Sequence, residues 1–158
     1  MTHQLNFVYN DSDWVCPDEY PDLSKAEEIA IDLETKDPNL KTKGSGWSTF
    51  DGYIVGFAVA AYDQQWYFPI NHDAGGNMDV ALTTAWMQNV LKTPATKIFH
   101  NASYDVGWLL VNGFEINGKI VDTMVTAALI NENRYSFALN SCAKDYLGEL
   151  KNETYLNE

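Results

Sequence analysis

Positive charge is scarce in this chain. Lys and Arg number 10 against 22 Asp and Glu, which gives a formal net charge of -12 and a sequence pI near 4.4. A nucleic-acid binder acting alone carries a basic footprint, so handling DNA or RNA would require metal ions or a neighbouring domain to offset the repulsion. Cysteine is rarer still. Cys16 and Cys142 show no CxxC spacing, which argues against a disulfide framework and a cysteine zinc site. Both read as small buried or half-buried hydrophobes. Apolar runs are short and broken, so no segment reads as membrane-spanning and no membrane partner is expected. The start, MTHQLNFVYNDSDW, lacks the basic lead and apolar block of a signal peptide, and a cytoplasmic location is the expectation. A Gly-rich phosphate loop, GxSxG, HExxH, internal repeats and low-complexity segments are all missing.

What is there belongs to a folded protein. The 158 residues are 46% hydrophobic and 13% aromatic, enough for one domain with a real core and too apolar for a disordered acidic tail. Residues 1–24 read as a polar and aromatic lead-in with an edge strand at Leu5–Tyr9, and 25–158 as the domain proper. Ile29-Ala30-Ile31-Asp32-Leu33-Glu34 has the composition of a strand apart from its two acids. Thr35 to Asp51, rich in Lys, Gly, Ser and Thr, reads as loop. Strands at Tyr53–Ala61 and Gln65–Ile70, joined by a turn near Asp63, complete an antiparallel meander of three.

The texture then changes. Val80, Leu82, Trp86, Val90 and Leu91 recur at helical spacing until Pro94. Lys97–His100 reads as a short strand, and Tyr104 to Val111 as a helix closed by Asn112-Gly113. Ile120-Val121 is a strand stub, and Thr123–Asn131 and Phe137–Leu147 read as two more helices. Meander first, then alternating helix and strand, gives a mixed α/β sheet with helices packed on it.

Asp32 and Glu34 are the informative pair. Residues i and i+2 of a strand share a face, about 7 Å apart, and two carboxylates flanked by apolar residues repel unless a cation lies between them. Hard oxygen ligands suit Mg²⁺ or Mn²⁺; the alternative is a strand whose polar face is simply wet. Asp105, four residues after Asn101, sits where a strand hands over to a helix, and there an acid also complements the helix dipole. Asp122 stands at the next such junction, where a helix cap is the competing explanation. Acids at these points can converge at one sheet end, where two cations could activate water for phosphodiester hydrolysis.

AIDLET, FHNASYDVGWL and VDTMVTAALI, in that order, resemble the first two motifs and following segment of DnaQ-like 3′-5′ exonucleases, which have a ribonuclease-H-like fold. DPNLKTKGSGWSTFDGYIVGFAVA, YFPINHDAGGNMD and SFALNSCAKDYLG are similar to the proofreading domain of bacterial and bacteriophage family A DNA polymerases. The likeness runs from about Leu23 to Asn157. It implies Asp32, Glu34 and Asp105 as catalytic metal-binding acids for two Mg²⁺ or Mn²⁺ ions, with Thr35 and Asn101 as substrate contacts. It also implies a single-stranded DNA 3′ end as substrate, a DNA polymerase domain or subunit as partner, and a bacterial or virus-infected cytoplasm as setting.

The family's fourth acid, from a late Tyr-x3-Asp or His-x4-Asp motif, has no counterpart in order. Tyr9/Asp13 precedes the first motif, His100/Asp105 lies inside the second, and Asp145 falls before the third motif's place. The expectation is therefore a domain whose C-terminal part is missing. It acts as a metal-dependent 3′-5′ exonuclease or, alternatively, as a non-catalytic nucleic-acid-binding or structural module beside a polymerase. An exoribonuclease of the same superfamily is a third possibility.

Other residues have plainer expectations. Trp86, Trp108, Phe137 and Leu139 read as core, and Trp47 is the tryptophan left open for base stacking. Lys36, Lys41 and Lys43 form a local positive patch, and His72 with Gly75-Gly76-Asn77 borders the substrate approach. If a terminal helix is missing, Leu139, Cys142, Ala143, Tyr146 and Leu147 lack a partner and stability is marginal.

Overall fold

The computed structural model describes residues 15–73 and 75–148. The expected edge strand at Leu5–Tyr9 and the Tyr9/Asp13 pair lie outside them, as does everything after Gly148.

Five strands form one mixed sheet in the order β3-β2-β1-β4-β5. β1 (Glu28–Lys36), β2 (Tyr53–Ala61) and β3 (Gln64–Pro69) are the antiparallel meander read from the sequence. β4 (Thr96–Phe99) runs parallel to β1, and β5 (Ile120–Asp122) parallel to β4. Because β1, β4 and β5 point the same way, their carboxyl ends share one edge of the sheet, where ligands of open α/β sheets bind.

Period-two alternation explains β1. Ile29, Ile31 and Leu33 are buried, while Ala30, Asp32 and Glu34 occupy the other, open face. The buried row joins Phe57, Val59, Phe68 and Phe99 in one core with helices α3 (Val80–Lys92) and α4 (Ala102–Val111). α3 contributes Met87, Val90 and Leu91, and α4 contributes Trp108 and Leu109. The end of the lead-in belongs to this core as well. Leu23 is buried, Tyr20 stacks on Phe68 and Trp86, and the Trp86 indole donates to the Pro21 carbonyl.

Two expectations are corrected. The stretch read as loop after Thr35 contains two single-turn helices, α1 (Leu40–Lys43) and α2 (Gly46–Thr49), too short to leave a periodic signal. Leu139, read as core, is instead half exposed at the start of α6 (Leu139–Leu147), which follows α5 (Thr123–Ile130). The helix stop at Asn112-Gly113 is found as expected, with Gly113 at φ +83°. No helix among the described residues is long and apolar enough to cross a membrane.

Candidate active site

β1 delivers Asp32 and Glu34 to the open face near its carboxyl end. The β1–β2 register slips between Glu34 and Thr35, a bulge of the kind that re-aims side chains. Opposite this segment β2 carries small residues: Ala58 pairs with Asp32, and Gly56 pairs with Glu34.

The glycine at 56 makes room for Tyr67. A Cβ there would lie 2.1 Å from the Tyr67 hydroxyl, so Tyr67, paired with Ala58 from β3, leans across Gly56. Burial pushes the Tyr67 phenol up from its ordinary value, and the negative Glu34 pushes it further. The Tyr67 hydroxyl is hydrogen-bonded to His72 Nε2. Asn77 staples that loop by accepting from the His72 amide at 2.7 Å and donating to the His72 carbonyl at 2.9 Å. A Lys36–Asp73 ion pair at 2.8 Å ties the same loop to the end of β1.

Asp105 arrives from α4. β4 pairs with β1 only as far as Ala30–Ile98, and beyond that point the Leu33 amide donates to Asp105 Oδ1 at 3.0 Å. Asp105 is 3% exposed. Desolvation and then the charge of Asp32 push its carboxyl up to about 7, with Glu34 adding to the rise and the Leu33 amide opposing it. The fold therefore brings Asp32 and Glu34 within electrostatic reach of Asp105. Among the described residues, however, no three His, Cys, Asp or Glu side chains are drawn together closely enough to hold a metal ion. The donor chemistry nonetheless suits a hard divalent cation, whose charge would relieve the repulsion that raises Asp105.

Asn101 precedes α4 in a left-handed conformation, φ +66°, which Asn tolerates better than most residues. It is exposed, and its side-chain oxygen accepts from the Ser103 hydroxyl at 3.2 Å. Thr35 turns the other way. Its hydroxyl bonds to the Tyr104 hydroxyl at 2.8 Å, and Tyr104 donates onward to Asp37 at 3.0 Å.

Asp122 is a cap. Its carboxylate accepts from the amides of Asn101 and Ala102 at the start of α4 and of Met124 and Val125 at the start of α5. Burial opposes ionisation, but these donors outweigh it and hold the carboxyl below its usual range. The competing explanation thus holds for Asp122: it fixes the helix that carries Asp105. His100 is similarly structural, with its ring nitrogens bonded to the Thr123 hydroxyl and the Phe137 carbonyl.

Beside Asp32 the open face forms a largely apolar cavity of about 480 Å³, lined by residues including Ala30, Ala58, Trp66, Tyr67, Ile98 and Leu139. Tyr67 is the side chain the sequence reading missed. A Gly on the strand paired with the acids was its only trace.

Residues 20–157 match the family model described as 3′-5′ exonuclease. The chain is 31% identical over 157 residues to a DNA-directed DNA polymerase of Pseudomonas phage M6, covering 95% of this chain and 24% of that protein. It is 29% identical to the DNA polymerase DpoZ of Salmonella phage PMBT28, covering 81% of this chain and 18% of that one. The chain thus spans about a quarter or less of these relatives. Among solved structures, Escherichia coli RNase D, an exoribonuclease, superposes with a TM-score of 0.61 at 18% identity over 86% of this chain and 32% of its own. Brucella melitensis NrnC with bound Mg²⁺ gives 0.60 at 17% identity over 82% and 58%. These neighbours show the fold to be ribonuclease-H-like.

Proposed function

This chain belongs to the 3′-5′ exonuclease family of family A DNA polymerases, and from that premise we propose that it hydrolyses phosphodiester bonds at single-stranded DNA 3′ ends. Its setting is proofreading within, or beside, a longer polymerase. The observation that carries the reading is that Asp32 and Glu34, near the carboxyl end of β1, both act electrostatically on buried Asp105.

Asp32, Glu34 and Asp105 would hold Mg²⁺ or Mn²⁺. Bound there, such ions supply an activated water and neutralise the charge on the leaving 3′ oxygen. The chain's own part is positioning. Leu33 fixes the Asp105 carboxylate, and Asp122 fixes the start of α4. Tyr67 stands against Glu34 across Gly56. Asn101 flanks the acids and contacts the terminal nucleotide in this reading, while Thr35, its hydroxyl bonded to Tyr104, would do so through its backbone. The polymerase relatives favour DNA over RNA. Attachment to a polymerase also supplies the nucleic-acid affinity that a net charge of -12 withholds.

A 5′-labelled single-stranded oligonucleotide, incubated with Mg²⁺ or Mn²⁺, should shorten stepwise from its 3′ end, and Asp32→Ala should reduce this to background. Cleavage that survives the substitution would remove Asp32 from the mechanism. One observation favours a second reading, a non-catalytic module that binds 3′ ends: among the described residues no three acid, His or Cys side chains gather closely enough to hold a metal. Calorimetry separates the two, because a complete site takes up two cations and an incomplete one a single weak cation or none.

A further inference from the structure

Tyr67 stands in the row that carries the acids. Asp32, Ala58 and Tyr67 are paired across β1, β2 and β3, and Glu34 is paired with Gly56 on the same face. Ala58 and Gly56 put little between Tyr67 and β1. The ring uses that space, and its hydroxyl lies where a side chain at 56 would begin. Directly paired residues hold their Cβ atoms about 4.5–5.5 Å apart. The Glu34 carboxylate extends beyond its own Cβ and can meet the phenol there. Two observations agree with that placement. Glu34 is half-buried where Asp32 is exposed, and the Glu34 charge is felt at the Tyr67 phenol.

A ring packed for shape alone needs no anchored partner for its hydroxyl, and Tyr67 has one. The hydroxyl is bonded to His72 Nε2, with the two rings edge to face at 5.7 Å and 75°. His72 is pinned on both sides. Before it, the Ile70 and Asn71 amides donate to the Val55 carbonyl at 2.9 and 3.1 Å. The Asn71 side chain also donates to the Ile54 carbonyl at 3.0 Å. After it, Asp73 pairs with Lys36, and Asn77 holds both the amide and the carbonyl of His72. Lys36 follows Glu34 by two residues, so the imidazole is tied back to the strand that bears the acids. A hydroxyl donates one hydrogen and accepts at its lone pairs. With the Nε2–H of His72 donating to it, the Tyr67 hydrogen is left for a carboxylate oxygen of Glu34, a charge-assisted bond of the stronger kind.

We propose that Tyr67 and His72 form a strut that positions Glu34: the imidazole orients the phenol, and the phenol holds one Glu34 oxygen so that the other faces the cation. The inference rests on the metal-dependent exonuclease reading and adds how its second acid is aimed. Its test reads metal binding and hydrolysis separately, on the whole chain. In calorimetric titration with Mn²⁺ and no nucleic acid, Tyr67→Phe, which keeps the ring, should bind about tenfold more weakly, as expected for removing an outer hydrogen-bond partner of a metal ligand. Hydrolysis of a 5′-labelled single-stranded oligonucleotide should lose kcat with KM unchanged, the pattern of a group that aims a ligand and does not bind substrate. His72→Ala should behave as Tyr67→Phe does. His72→Gln, whose amide still donates, should recover most of the affinity. Denaturant melts in chelator establish that each variant folds. Wild-type Mn²⁺ affinity in Tyr67→Phe or His72→Ala overturns the proposal and leaves Tyr67 as packing on the sheet. A wild type that takes up no Mn²⁺, or His72→Gln no better than His72→Ala, overturns it as well. Tyr67-dependent Mn²⁺ binding without any shortening of the oligonucleotide would instead keep the strut and discard the exonuclease reading.

Discussion

At the residue scale, the acid most affected by the fold is Asp105. A carboxyl raised from its ordinary value to about 7 binds a proton in the folded state that the unfolded state has already released. Folding stability in chelator should therefore fall as pH rises from about 4 to about 7, and level off above that range. The upper bound on this loss is about 4 kcal/mol, at ~1.36 kcal/mol per unit, and neighbouring charges that titrate together reduce it. Asp105→Asn should flatten the slope and raise the melting temperature at pH 8. Mg²⁺ should raise it for the wild type alone. Denaturant melts at several pH values check all three, and an unchanged slope in Asp105→Asn would assign the dependence to another group.

At the scale of elements, two polar side chains hold the strand–helix junctions. Asp122 caps α4 and α5 together, so Asp122→Ala strands amides at both helix starts. With ~0.5–2 kcal/mol per cap, the expected loss is about 1–4 kcal/mol, and Asp122→Asn should recover part of it. Since its folded pKa is depressed, this contribution is present above the ordinary carboxyl range and lost as pH falls through the folded value. Lys97 secures the opposite end of β4. It is 0% exposed, and its ammonium donates to the carbonyls of Thr93, Ala95 and Asn117, tying the end of α3 to the loop before β5. Lys97→Met keeps the apolar stem but abandons those carbonyls, at about 1–3 kcal/mol for each one left buried and unpaired. A chemical denaturation midpoint well below the wild type's is expected, with folding retained at low temperature.

At the scale of the whole molecule, apolar surface gathers on α5 and α6. Leu129 is 83% and Leu147 72% exposed, with Val125, Ile130, Leu139 and Tyr146 also open. Leu139, Tyr146 and Leu147 are residues the sequence expects to lack a partner; Cys142, grouped with them, is buried by the chain itself. A surface of this kind binds dyes and other chains. Replacing Leu129 and Ile130 by Gln should move the melting temperature little, since exposed substitutions cost within about 0.5 kcal/mol each. The same variant should bind less anilinonaphthalene sulfonate and sediment with less concentration dependence. A large drop in stability would mean that these side chains pack more than their exposure indicates.

The sequence alone determined the strand meander, the alternation of helix and strand after it, and the three acids worth following. Each depends on local chemistry: period-two burial around Asp32 and Glu34, helical spacing around Trp86, and a Gly stop after α4. Only the tertiary structure decided what those acids experience. Asp105 is raised because packing removes its water and places it near Asp32, and neither fact is local to its own segment. Asp122 became a cap because two helices begin beside it, at Ala102 and Thr123, 21 residues apart along the chain. Tyr67 reached Glu34 because a strand between them carries glycine at position 56. Which aromatic ring stays free, Phe50 and not Trp47, followed from a helix passing close enough at Gly107 to take one of them. A one-dimensional pattern records which residue types neighbour one another along the chain. Desolvation, shared charge and ring placement arise from distances that exist only after the chain has closed on itself.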